Sequence, residues 1–147
     1  MIIAFLFVLQ MSCPDHAEHA MGFSQSASKH AFRLFTDGGA IEVRSSDAAT
    51  VKAIRQHLQM IAEDFASGDF AKPLAVHDEM PDGAATMKEL RGDINYAYSE
   101  IESGGRVRIT TKSSRALEAV HQFLRFQIRE HKTGDRDHIV SPDSNPK

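Results

Sequence analysis

Cysteine is nearly missing: Cys13 is the only one in 147 residues, so no intrachain disulfide can staple the fold and no paired-thiolate metal site is available. Tryptophan is absent and tyrosine occurs twice. With a net charge of -3 and a pI near 6.2, the chain has no cationic excess of the kind a nucleic-acid footprint requires. No nucleic-acid partner is expected. Long hydrophobic runs are also lacking. The longest, residues 1–9 (MIIAFLFVL), is about half the ~20 residues of a bilayer-spanning helix, so no integral membrane span is expected. That run fits the apolar centre of a secretory signal, without its cationic leading region. Export to the periplasm or the exterior follows, with residues 1–13 as the signal-like segment. Lipid attachment at Cys13 is the less favoured variant, because Gln10 stands where a lipoprotein signal carries leucine. There is no phosphate-cradling glycine loop, no H-E-x-x-H and no G-x-S-x-G elbow, which leaves covalent catalysis without a motif.

What the chain does contain is the same pattern twice. An offset of 66 positions lays Gly38-Gly39 on Gly104-Gly105, Ile41 and Val43 on Val107 and Ile109, Leu58 on Leu124, and Gly68-Asp69 on Gly134-Asp135. Each copy reads as strand, tight turn, strand, helix. The expected fold is α+β: two tandem hairpin-plus-helix units, residues 30–69 and 94–135, joined edge to edge in a four-stranded antiparallel sheet with both helices on one face. A connector, residues 70–93, has no counterpart and reads as a loop with two helical turns near Ala84. Residues 14–29 read as a flexible arm and 136–147 as a loose tail. The glycine pairs are taken as the two-residue turns, which would face Leu34 to Val43 and Glu100 to Ile109. Asp47 or Ser46 should cap the first helix, with Val51, Ile54, Leu58, Ile61 and Phe65 as its stripe. Leu117, Val120, Leu124 and Ile128 form the matching stripe of the second.

Candidate function sits where the copies disagree. His57 and Met60 replace Phe123 and Phe126, beside the main stripe, and a His and a Met three positions apart on a helix can converge. Imidazole plus thioether suits copper(I) or a haem iron. The connector repeats that spacing in His77 and Met80, with Asp78 as a possible orienting acceptor. His57, His77, Met60 and Met80 are therefore the candidate metal ligands, with Phe123 and Phe126 lining a cofactor pocket. Glu100, placed on the core face with Tyr98 and Tyr96, is a candidate acid–base group with His77. His131, in the last helical turn, has an ordinary structural reason in the helix dipole, which favours its cation. His16, His19 and Met21 in the arm form a weaker metal-catching spacing.

The stretches MGFSQ (residues 21–25), DGGAIEV (37–43), GGRVRITT (104–111) and FLRFQI (123–128) resemble a group of small, exported, uncharacterised bacterial proteins with a His- and Met-containing arm. The resemblance implies export and carries no activity. Lys29-His30 stands where that group has two adjacent histidines. The leading expectation is an exported binding protein for a metal ion, copper first, or a haem-like cofactor. The alternatives are a small-molecule enzyme using Glu100, Tyr98 and His77, and a homodimer whose interface is His57, Met60, Phe123 and Phe126.

Overall fold

The computed structural model describes residues 20–143. The apolar run, Cys13, His16 and His19 lie outside the described residues. The fold is α+β: a hairpin of β1 (Lys29–Phe35) and β2 (Gly38–Arg44), then helices α1 (Ala48–Ser67), α2 (Ala71–His77) and α3 (Ala84–Glu89). A second hairpin of β3 (Ile94–Ile101) and β4 (Gly104–Thr111) leads to α4 (Ser114–Glu130) and a short β5 (Ile139–Val140). The sheet has five strands in the order β3-β4-β2-β1-β5, mixed rather than wholly antiparallel, because β5 runs parallel to β1. The expected four-stranded sheet is thus one strand short. Ile139 and Val140, the apolar β-branched pair of an otherwise polar tail, cover the exposed edge of β1 instead of hanging loose.

The long helices start where their capping residues dictate. The Asp47 carboxylate accepts from the Thr50 amide at 2.8 Å and Ser113 accepts from the Ala116 amide. Gly68, at φ 83°, ends α1 in the left-handed conformation. The connector is more ordered than a loop: α2 takes up residues read as punctuation, and its Pro73 lies within the first turn, where a missing amide costs nothing. Part of the arm is likewise packed, with Met21 6% and Phe23 7% exposed.

The hairpin turns are not the glycine pairs. Phe35 opposes Gly38 and Ile101 opposes Gly104, so the loops are Thr36-Asp37 and Glu102-Ser103, with Ser103 at φ 60°. Leu34 faces Gly39 and Glu100 faces Gly105. This is an even shift from the expected pairing, so every side chain keeps its face. The glycines instead serve close contacts. A Cβ on Gly39 would meet Leu124 of α4, and one on Gly105 would meet Leu58 of α1, which puts both helices on the same side of the sheet.

Between sheet and helices lies one apolar core with an aromatic centre: Phe65 stacks on Phe70 at 4.5 Å and meets Phe123 edge-on at 5.5 Å. Phe123 is 0% and Phe126 3% exposed, so neither is free to form a subunit interface. Phe123→Ala is expected to lower the unfolding free energy by about 3–5 kcal/mol, measured by urea denaturation. A variant of unchanged stability and altered oligomeric mass would restore the interface reading. On the open face of the sheet, Glu42 is 4% exposed and lies between two guanidiniums, Arg106 at 2.6 Å and Arg44 at 3.2 Å.

Candidate functional site

Four histidines from four elements meet around one cavity. His57 is the polar edge of the buried arc of α1, otherwise Ile54, Leu58, Ile61, Ala62 and Phe65. His30 opens β1 opposite Val43, which turns it toward the helices. His77 is the last residue of α2, and His131 caps the end of α4. The cavity they line measures about 60 Å³ and is otherwise mainly apolar, with Phe32, Val43, Val76 and Phe123 among its walls and Gln127 and Lys72 as polar members. His30 stacks on His131 with ring centroids 4.6 Å apart, and His131 meets His77 edge-on at 5.0 Å. Phe23 closes the near side, 5.5 Å from His57 and 6.2 Å from His30.

The ring nitrogens of these four histidines make few hydrogen bonds. Only His77 has a hydrogen-bond partner among the described residues, Nε2 to Gln127 Oε1 at 3.1 Å. That partner is Gln127, not Asp78. His57 Nδ1 and Gln127 Nε2 are buried with no partner among the described residues. Buried polar atoms are nearly always paired, since an unmade bond costs about 1–3 kcal/mol. His121 shows the ordinary case: its Nε2–H donates to the Phe35 and Gly38 carbonyls at 2.9 and 3.0 Å, tying α4 to the first hairpin.

Burial holds three of the pocket imidazoles neutral. Burial pushes His30 down to about 4 and His131 down to about 3. Burial, then the Lys72 ammonium, lower His57 to about 4. At the end of α4, burial outweighs the helix dipole, and the expected stabilised cation of His131 is not formed near neutrality. Lys72 is ion-paired with Asp64, which keeps its own charge compensated. Neutral imidazole is the form that can donate a lone pair to a metal.

The sequence-derived candidates divide. His57 and His77 share the cavity, while Met60 is 44% and Met80 53% exposed and neither lines it. At 100° per residue Met60 lies about 60° beyond His57, past the end of the buried arc of α1. Phe123 is a wall of the cavity, and Phe126 packs edge-on against His77 at 5.3 Å. Glu100 shares a face with Tyr98, as expected, but its partner across the ladder is a glycine and its side chain is 61% exposed, ion-paired with Arg55 at 2.9 Å. Tyr98 lies beside Gly105 and Leu58, and neither residue lines the cavity that holds His77. The acid–base trio is not assembled. His30, His131 and Gln127 were not read as site residues, and Met21 was read only as part of a weak metal-catching spacing with His16 and His19. The 66-residue offset carried the signal: it lays His30 on Tyr96, His131 on Phe65 and Gln127 on Ile61, polar groups where the other copy is apolar.

Among the described residues, no three His, Cys, Asp or Glu side chains are grouped so as to hold a metal ion, and no helix is long and apolar enough to cross a membrane. A cavity of about 60 Å³ is also far below the ~300–1,000 Å³ of pockets for drug-sized ligands, which leaves no space for a haem macrocycle. No family model, curated protein or solved structure matches the chain.

Proposed function

We propose that the protein is an exported binding protein for a single transition-metal ion, copper first, held in the cavity of His30, His57, His77 and His131. The observation that carries this reading is the meeting of four imidazoles, three of them held neutral and without ring hydrogen bonds among the described residues, in one mainly apolar pocket. A packing role alone leaves the buried His57 Nδ1 without a partner, a cost that the phenylalanine at the matched position 123 does not carry. Metal coordination supplies the missing partners. The absence among the described residues of a ready-made set of three His, Cys, Asp or Glu donors asks for ring rotation on binding. The hairpin–helix order, seen twice, supports a duplicated scaffold in which one copy and the connector took up the polar groups. The apolar run of residues 1–9 supports export.

Tag-free protein titrated with copper(I) under anaerobic conditions, and with copper(II) and zinc(II) in air, tests the proposal. One ion per chain should bind with Kd below ~10 µM. His57→Ala and His30→Ala should each weaken binding by roughly tenfold or more. Failure of all three metals to bind would overturn it.

A further inference from the structure

We infer that the ion is cuprous and that its direct donors are the Met21 thioether and the imidazoles of His30 and His57, an inference that rests on the metal-binding reading above. The donor count comes first. With no cluster of three His, Cys, Asp or Glu side chains among the described residues, a tetrahedral zinc site is not laid out. A soft ion of low coordination number needs fewer donors and accepts sulfur.

Met21 provides that sulfur. It is 6% exposed and is the one sulfur-bearing residue among the described residues that lines the cavity. Phe23, two residues on, packs its ring against both His30 and His57 at 6.2 and 5.5 Å. The segment carrying the thioether is thereby laid over these two histidines. The other two have different work. His77 is held by Gln127, and His131 lies flat on His30 and braces that ring. His30 and His57 have no hydrogen bond to either ring nitrogen among the described residues, and His57 Nδ1 is buried. The arm, read from sequence as a loose metal catcher, is on this account the third wall of the site.

Met21→Leu keeps the volume and apolarity and removes only the sulfur. Copper(I) affinity, measured anaerobically by competition with a chromophoric chelator, should fall by roughly tenfold or more, while zinc(II) affinity should change by less than about twofold. The copper K-edge fine structure of the wild-type complex should contain a sulfur scatterer that Met21→Leu lacks. Unchanged copper(I) affinity in Met21→Leu, or a wild-type spectrum of nitrogen and oxygen alone, would overturn this inference and leave the metal-binding reading standing. A wild-type protein that takes up neither copper nor zinc would overturn both. If Met21→Leu does not fold, the wild-type spectrum decides alone.

Discussion

Between pH 6.5 and pH 4 the protein loses about 3 kcal/mol or more of folding stability through its buried histidines. The sign follows from proton uptake. Above pH 6.5 the imidazoles are neutral in both states and pH has no effect through them. Below it the unfolded chain takes up protons that the folded pocket refuses until about pH 4 for His30 and His57, and about pH 3 for His131. The unfolded state is therefore favoured progressively across that window, and the loss levels off beneath it. A fall from 6.5 to about 4 at His57 alone corresponds to about 3 kcal/mol. His30 and His131 add to it, less than additively, because they touch. Lys72 makes protonation of His57 harder and its partner Asp64 makes it easier. Urea denaturation at pH 7, 6, 5 and 4 measures this directly. His57→Phe, which installs the residue found at the matched position 123, should flatten the slope by about one proton. Identical slopes in the two proteins would remove His57 from the explanation.

Gly104→Ala is expected to cost about 3 kcal/mol or more and to prevent folding at physiological temperature if the native margin is ordinary. A Cβ there would lie 1.9 Å from the Val43 carbonyl oxygen and 2.9 Å from the Arg44 Cα. Both are backbone atoms of β2, so no side-chain rotation relieves the contact. Gly38 makes the equivalent contact with the Ile109 carbonyl of β4, at 2.0 Å. In register, Gly104 opposes Arg44 and Gly38 opposes Thr110, two positions that the 66-residue offset interchanges. The glycines thus hold the two hairpins against each other at both ends of the β2–β4 seam. Gly92→Ala is the control, since nothing lies within 4 Å of its Cβ and its φ is not positive. It should leave the urea midpoint nearly unchanged. A Gly104→Ala protein as stable as Gly92→Ala would contradict the seam.

The element boundaries were legible where side chains set them. Asp47, Ser113 and Gly68 are local signals acting through local hydrogen bonds and backbone angles. The glycine pairs were legible as important and misread in role: a turn and a close strand crossing both call for a missing Cβ, and only the pairing register tells them apart. Because the misreading displaced each hairpin by an even step, the faces came out right. Glu100 shows the limit of that. Its face was correct, but whether a residue on the helix side is covered depends on how far α1 extends over the sheet, and near Gly105 it leaves Glu100 in water with Arg55.

The site was half legible. His57 and His77 stood out as exceptions to the repeat and in the connector, and they share a cavity. Met60 and Met80 failed because spacing along a helix says which residues are neighbours and not where the buried arc stops. His131 was set aside for a reason that holds for an exposed residue, the helix dipole. The packing of Phe23 on His30 and of His77 on His131 is a tertiary fact that no local pattern carries.

Long-range proton–nitrogen NMR of the histidine rings reports protonation and copper ligation at once. At about pH 5.5 the rings of His30, His57 and His131 should be neutral, and one equivalent of copper(I) should shift His30 and His57 most while His121, already donating to two carbonyls, stays still. Rings at His30 and His57 that titrate near 6.5, or copper shifts confined to His138 and the residues before Ala20, would contradict a metal pocket between the sheet and the helices.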